Sequence, residues 1–145
     1  MAPQTDLIEY VKATAPKYGL DPALVCAVIE KESEWNPWAV RAEPEFDKKY
    51  VQPLHKTPTE EWCRSISWGL MQLMGESARE RGYDGDLPAL LDPAIGVPWG
   101  CTHLKWKIDR MGGDVFRSLL AWNGGADSGY PADVLSRMKK YQGGL

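Results

Sequence analysis

The run YGLDPALVCAVIEKESEWNPWAV, Tyr18 to Val40, decides how this chain is read. Leu24, Val25, Val28 and Ile29 recur at helical spacing, and Glu32 extends the line through Leu24 and Val28 in steps of four. Asp21 supplies a capping side chain and Pro22 a first helical residue. Asn36-Pro37 stops the helix, since proline disfavours helical backbone in the residue before it and brings no N–H. Glu32 therefore projects from a mostly buried face at a helix edge, where partial loss of water raises a carboxyl pKa and suits it to donate a proton near neutrality. Cleavage of a glycosidic bond needs an acid of that kind. Glu30 and Glu34 on either side read as solvated.

The 145 residues suffice for one domain with a substantial core, spanning 1–145, and 43% apolar with 26% charged residues is ordinary for a globular chain. A net charge of −3 gives no footprint for nucleic acid. Seven Trp and six Tyr against two Phe suit a groove that stacks on sugar rings, as well as plain core packing. Cys26, Cys63 and Cys101 are odd in number and far apart, which excludes a complete internal disulfide framework and points to folding under reducing conditions. With two histidines and no close Cys or His pairs, neither a metal site nor another cofactor is expected. The start MAPQTDLIEYVK lacks the pattern of a signal peptide, so synthesis in the cytoplasm is expected, and no segment is long enough to insert stably in a membrane.

Outward from the opening run, the pattern is of short helices punctuated by Gly and Pro. Asp6 is positioned to cap a helix carrying Leu7, Ile8, Val11 and Ala15, ending near Tyr18-Gly19 or shortened by Pro16. Residues 41–65 form a long irregular segment, with a short hairpin expected around Phe46 to Leu54 and a helical turn opened by Thr57-Pro58 or Thr59. Gly69 to Arg81 reads as a helix with Leu70, Leu73 and Met74 inward, and Pro93 to Met111 as another, interrupted or staggered at Pro98 and ended by Gly112-Gly113. Asp114 caps a helix bearing Val115, Leu119 and Trp122, and Ala132 to Tyr141 forms the last. The fold class is mainly α.

Four blocks in order, the opening run, SWGLMQLM, LLAWNGG and GYPADVLSRMKKY, resemble the motifs of the lytic transglycosylase catalytic domain, a lysozyme-like fold shared by soluble lytic transglycosylases and goose-type lysozymes and carried by many phage lysis and tail proteins. The resemblance implies Glu32 as catalytic acid and then base, with Ser33 in support. It implies a groove for peptidoglycan glycan strands lined by Gly69, Leu70, Met71 and Gln72, by Trp122 and Asn123, and by Tyr130, whose hydroxyl would point at the acid. Trp122 stands where the family usually has Tyr, and Pro131 follows Tyr130 where Val is common. Read alone, Gly69 to Gln72 is equally a helix start with Leu70 and Met71 in the core, and Tyr130 a packing residue.

The 41–65 segment is longer than the family's compact connection and contains Glu43, Glu45 and Asp47. Any of these facing Glu32 would serve as the second carboxylate of a hydrolysing muramidase. The expected activity is cleavage between N-acetylmuramic acid and N-acetylglucosamine with formation of a 1,6-anhydro end. Hydrolysis of the same bond and a non-catalytic glycan-binding phage-tail module are the alternatives. A monomer acting on the bacterial cell wall is expected, as a phage endolysin released by a holin, a virion component or a domain trimmed from a longer precursor.

Overall fold

The structure, a computed structural model, describes residues 4–143; the first three residues of the segment read for an export signal and the last two of the chain lie outside that range. Helix α2, Pro22–Ser33, is the centre of the molecule. Asp21 accepts a hydrogen bond from the Ala23 amide at 2.8 Å, Pro22 opens the helix, and every residue from Ala23 to Ile29 is buried. A helix apolar on all sides must be surrounded. Helix α1, Gln4–Thr14, and a following 3-10 turn, Ala15–Tyr18, pack on it, and Asp6 lies inside the first turn of α1 instead of capping it. The α2 helix ends at Ser33, earlier than Asn36-Pro37 alone dictates, because Glu34 and Trp35 both take left-handed backbone and turn the Trp35 side chain into the core.

After strand β1, Val40–Ala42, the 41–65 segment is mostly helical, which corrects the expected hairpin at 46–54. Helix α3, Pro44–Phe46, runs into a π turn, Asp47–Val51, and a 3-10 turn, Gln52–Leu54. Phe46 and Tyr50, four residues apart, bring their ring centroids within 4.9 Å, and Val51 is fully buried. That is helical spacing, and no alternation of apolar and polar residues competes with it. Helix α4, Pro58–Arg64, opens after Thr57 as read.

The helix expected over 69–81 is also corrected. Strands β2, Ile66–Trp68, and β3, Leu73–Met74, pair antiparallel around a turn made by Gly69 to Gln72, and only Gly75–Glu80, helix α5, is helical. With β1 on the other side of β2, and Arg41 opposite Ser67, they form a small three-stranded sheet. Gly69 has φ +70, a region costly for side-chain-bearing residues, and a Cβ there would lie 2.8 Å from the Leu90 carbonyl oxygen, so the turn requires glycine.

Helix α6, Pro93–Arg110, is capped by Asp92 and runs unbroken through Pro98, contrary to the interruption expected there. Pro98 lies near the helix start, where the carbonyl it leaves without a donor belongs to exposed Ala94. Helix α7, Val115–Trp122, is capped by Asp114, and helix α8 begins two residues before Ala132, at Tyr130–Met138, with Pro131 absorbed in its first turn and a 3-10 turn, Lys139–Tyr141, after it. The main core surrounds α2; a second apolar cluster, with Cys63, Ile66, Trp68, Leu73 and Leu90, lies under the sheet. The architecture is mainly α and lysozyme-like. All three cysteines are buried and free, and no described helix is long and apolar enough to cross a membrane.

Candidate active site

The end of α2 presents Glu30, Lys31 and Glu32 in succession to α8 and the turn after it, and each meets a different partner. Glu30 accepts hydrogen bonds from Arg137 at 2.9 Å, Lys140 at 2.7 Å and the Tyr141 hydroxyl, while Lys31 pairs with Asp133 at 3.0 Å. Glu32 accepts one from the Tyr130 hydroxyl at 2.5 Å. Burial works against ionisation of Glu30, but Lys140, Tyr141 and Arg137 outweigh it and hold the pKa below the ordinary range. At Glu32 burial dominates; the Tyr130 bond and the charges of Arg41 and Lys31 offset it only in part, Glu43 adds to it, and the pKa lies above the usual carboxyl value. Two glutamates on one helix end are thereby tuned in opposite directions by their surroundings.

Glu32 lines a cleft of about 400 Å³. Its lining includes Arg41, Glu43 and Phe46 from the stretch between β1 and the π turn, and Ser77, His103, Lys107 and Trp122 from α5, α6 and α7. Trp122 packs against both apolar clusters, so its ring closes the seam between them. Its indole is also tilted against His103, with centroids 5.6 Å apart.

The turn beside Glu32 is tied down by hydrogen bonds from side chains. Ser33 Oγ donates to the Leu70 carbonyl at 2.8 Å, fastening the end of α2 to the Gly69 to Gln72 turn. Gln72, in left-handed backbone, donates through Nε2 to the carbonyls of Ala39 and Gly69, both at 3.0 Å, and the Gly69 amide donates to Ala39 at 2.7 Å. These bonds leave the Gln72 carbonyl oxygen as its free polar atom. A non-glycine residue held in left-handed backbone at a cleft wall is a marker of a functional constraint.

Of the residues singled out in the sequence, Glu32, Gln72, Trp122, Asn123 and Glu43 line the cleft. Tyr130 is 2% exposed and reaches Glu32 from behind. Leu70 and Met71 are core residues, 4% and 1% exposed, and Met71 fills the space that Gly100 leaves by having no side chain. Gly69 and Ser33 hold the turn from beneath. Glu45 and Asp47 point elsewhere, Glu45 facing Lys48 at 3.8 Å and Asp47 accepting from Gln52 at 3.0 Å, whereas Glu43 stays at the cleft and meets Arg41 at 3.3 Å. His103, Lys107, Ser67 and Ser77 were not found from sequence; the i, i+4 spacing of His103 and Lys107 within an apolar helix was their one signal.

A family model described as "Transglycosylase SLT domain" matches residues 9–133. A relative from Enterobacteria phage PRD1, named "Transglycosylase", is 29% identical over 135 residues, covering 93% of this chain and 40% of its own length. The chain thus spans about two fifths of the curated relative it matches. No solved structure matches it. The family match begins in α1 and ends in α8, and so takes in the helix that delivers Glu32, the Gly69 to Gln72 turn, the Trp122-Asn123 wall and the Tyr130 hydroxyl, and by that extent the chain belongs to the SLT transglycosylase domain family.

Proposed function

We propose that this domain is a peptidoglycan lytic transglycosylase, with Glu32 serving first as acid and then as base. The observation that carries the reading is Glu32 itself, a half-buried carboxyl in a cleft, with a raised pKa, a phenol as hydrogen-bond partner and, among the described residues, no cation within bonding distance. In the protonated form it gives its proton to the oxygen joining N-acetylmuramic acid to N-acetylglucosamine. The resulting carboxylate, held by Tyr130, takes the proton from the muramic C6 hydroxyl as that oxygen attacks C1 and closes the 1,6-anhydro ring. No water is consumed, and one group performs both transfers in turn, as microscopic reversibility permits. Trp122 offers a flat face to a sugar ring, and the Gln72 carbonyl oxygen and Asn123 offer polar contacts to acetamido groups. The substrate is the glycan strand of the bacterial cell wall, met by a monomer with no cofactor in the reaction. Release by a holin from an infected cell and delivery in a virion are both compatible with it.

Glu43 supports a second reading. It is the one acid of the 41–65 segment that lines the cleft together with Glu32, and as a base activating water it would make the domain a muramidase. Mass spectrometry of fragments released from purified peptidoglycan separates the two. Anhydro ends, one water lighter than reducing ends and absent with Glu32→Gln, are expected; reducing ends that vanish with Glu43→Gln would replace this proposal by hydrolysis, and no fragments at all would leave a binding module.

A further inference from the structure

Glu34 and Trp35 follow the last residue of α2 in left-handed backbone, with φ of +52 and +64. Among the described residues they are the one neighbouring pair without glycine in that region. A bulky side chain there is a costly arrangement that persists only where other contacts impose it. The turn lies between two fixed points of the cleft. Ahead of it Glu32 and Ser33 end α2, with Ser33 Oγ fastened to the Leu70 carbonyl at 2.8 Å. Beyond it the Ala39 carbonyl accepts from the Gly69 amide and from Gln72 Nε2.

The group that imposes the turn comes from the 3-10 turn after α8. The Trp35 side chain is 5% exposed, and its Nε1 donates to the Tyr141 hydroxyl at 3.0 Å, with the two ring centroids 6.0 Å apart. The same hydroxyl donates its own proton to Glu30. One oxygen thereby joins a residue ahead of Glu32 to a residue behind it. Glu30 also holds Arg137 and Lys140, whereas Tyr141 is the partner of the Trp35 indole, so loss of the phenol falls hardest on Trp35. A buried indole N–H without an acceptor adds a desolvation cost to the backbone strain already present.

Resting on the reading of Glu32 as the proton donor, we propose that Tyr141 is a positioning residue whose hydroxyl clamps the arc from Glu30 to Trp35 and so fixes the Glu32 carboxyl against Tyr130 and the cleft. Tyr141 is not part of the cleft lining and acts through the turn. Without the clamp the strained turn relaxes and carries the carboxyl away from the glycosidic oxygen, while Phe46, Gln72 and Trp122 keep the groove that binds the glycan. A displacement of about 1 Å in a reacting group costs on the order of 100-fold in rate.

The test is steady-state cleavage of soluble glycan oligomers from peptidoglycan by Tyr141→Phe, with a thermal midpoint to verify folding. A fall in kcat of about tenfold or more is expected, with KM within about twofold of the parent. Burial is the leading cause of the raised Glu32 pKa, ahead of the Tyr130 bond, Arg41, Lys31 and Glu43. A carboxyl that moves toward water loses part of that cause, so the alkaline limb of the pH profile should move to lower pH. Trp35→Phe removes the donor and keeps a ring in place; on that background Tyr141→Phe should cost about twofold or less, because the bond is already gone. A folded Tyr141→Phe with the parental kcat and limb would overturn the clamp alone, as would the full loss in the Trp35→Phe background. Should Tyr141→Phe not fold, solvent exchange of the Trp35 indole proton in the unsubstituted protein decides. Exchange as slow as that of core amides is expected, and exchange within seconds would overturn the clamp. A parent protein that cleaves no glycan would overturn the reading of Glu32 beneath it, and the clamp's part in turnover with it.

Discussion

Replacing Tyr130 with Phe isolates one oxygen. The hydroxyl sits 2.5 Å from Glu32 Oε2, the side chain is 2% exposed, and burial followed by the Glu32 charge holds the phenol pKa well above its ordinary value, so the group is a donor at every working pH. A hydrogen bond to a charged group contributes about 1.5–3 kcal/mol, and that free energy favours the ionised form of Glu32. Its loss raises the Glu32 pKa further. The same loss weakens the carboxylate that forms as the proton leaves, which slows the step by roughly 10- to 100-fold. The two effects have different signatures against pH. On the proposed mechanism activity requires protonated Glu32 and declines above its pKa, so in Tyr130→Phe the alkaline limb should move up while the plateau falls, and the deficit should narrow at high pH. Turbidity clearance of purified peptidoglycan across pH, beside a thermal midpoint to verify folding, reads both. A lower plateau with an unmoved limb, in a folded variant, would mean that Tyr130 packs against the site without acting on the proton.

Three further outcomes concern stability. Glu60 sits between Arg79 at 2.8 Å and Arg64 at 2.6 Å, its side chain 27% exposed, and the Arg79 bond first among its partners lowers its pKa to about 2; Glu60→Gln should destabilise by about 2–3 kcal/mol in chemical denaturation. Because the folded pKa is depressed, that contribution is complete above pH 4.5 and fades as pH falls toward 2, so the variant should lose less stability over that window than the parent. His103 has its pKa pushed down to about 3 by burial, then by Lys107 and Arg81, so the unfolded chain binds its proton from about pH 6.5 downward while the folded chain does not; the thermal midpoint should drop from pH 6.5 toward 4, and His103→Phe should flatten that slope. Gly69→Ala meets both a φ of +70 and the Leu90 oxygen, and a loss of about 2–3 kcal/mol in urea unfolding is expected, with a neutral result refuting the turn geometry.

Local chemistry was legible in the sequence wherever one residue decides an outcome. Asp21 and Asp114 cap helices as read, and Thr57-Pro58 opens one. The sheet was not legible, because strands of two and three residues are too short to display alternation, and Leu70, Leu73 and Met74 fit helical spacing as well as a hairpin. What decided against a helix is the left-handed backbone at Gly69 and Gln72, the first suggested by residue type and the second by nothing local. Phe46 and Tyr50, by contrast, carried a helical signal that the charges around them obscured. Glu32 could be picked out from the apolar line ahead of it, whereas its partner across 98 residues was reached only through family resemblance. The meeting of Arg81 and Arg110 on the Trp106 ring required the assembled fold, since the two come from the ends of different helices.

On the proposed mechanism, the way α8 is attached keeps a carboxyl close to basic residues able to give a proton. Glu30 takes Arg137, Lys140 and Tyr141, and Lys31 takes Asp133, so the opposite charges between these elements are matched before Glu32 is reached. Tyr130 comes from the first turn of α8, ahead of the cations farther along it, and delivers a neutral donor. A lysine or arginine in its place would hold Glu32 ionised, as the same kind of contact does Glu30, and an ionised group has no proton to give the glycosidic oxygen. A residue with no donor there would leave the carboxylate formed in the proposed reaction without a partner in a half-buried site. The phenol satisfies both requirements, and the ion pairs around Glu30 and Lys31 hold it in place, while the Lys31 charge offsets only part of the burial that raises the Glu32 pKa.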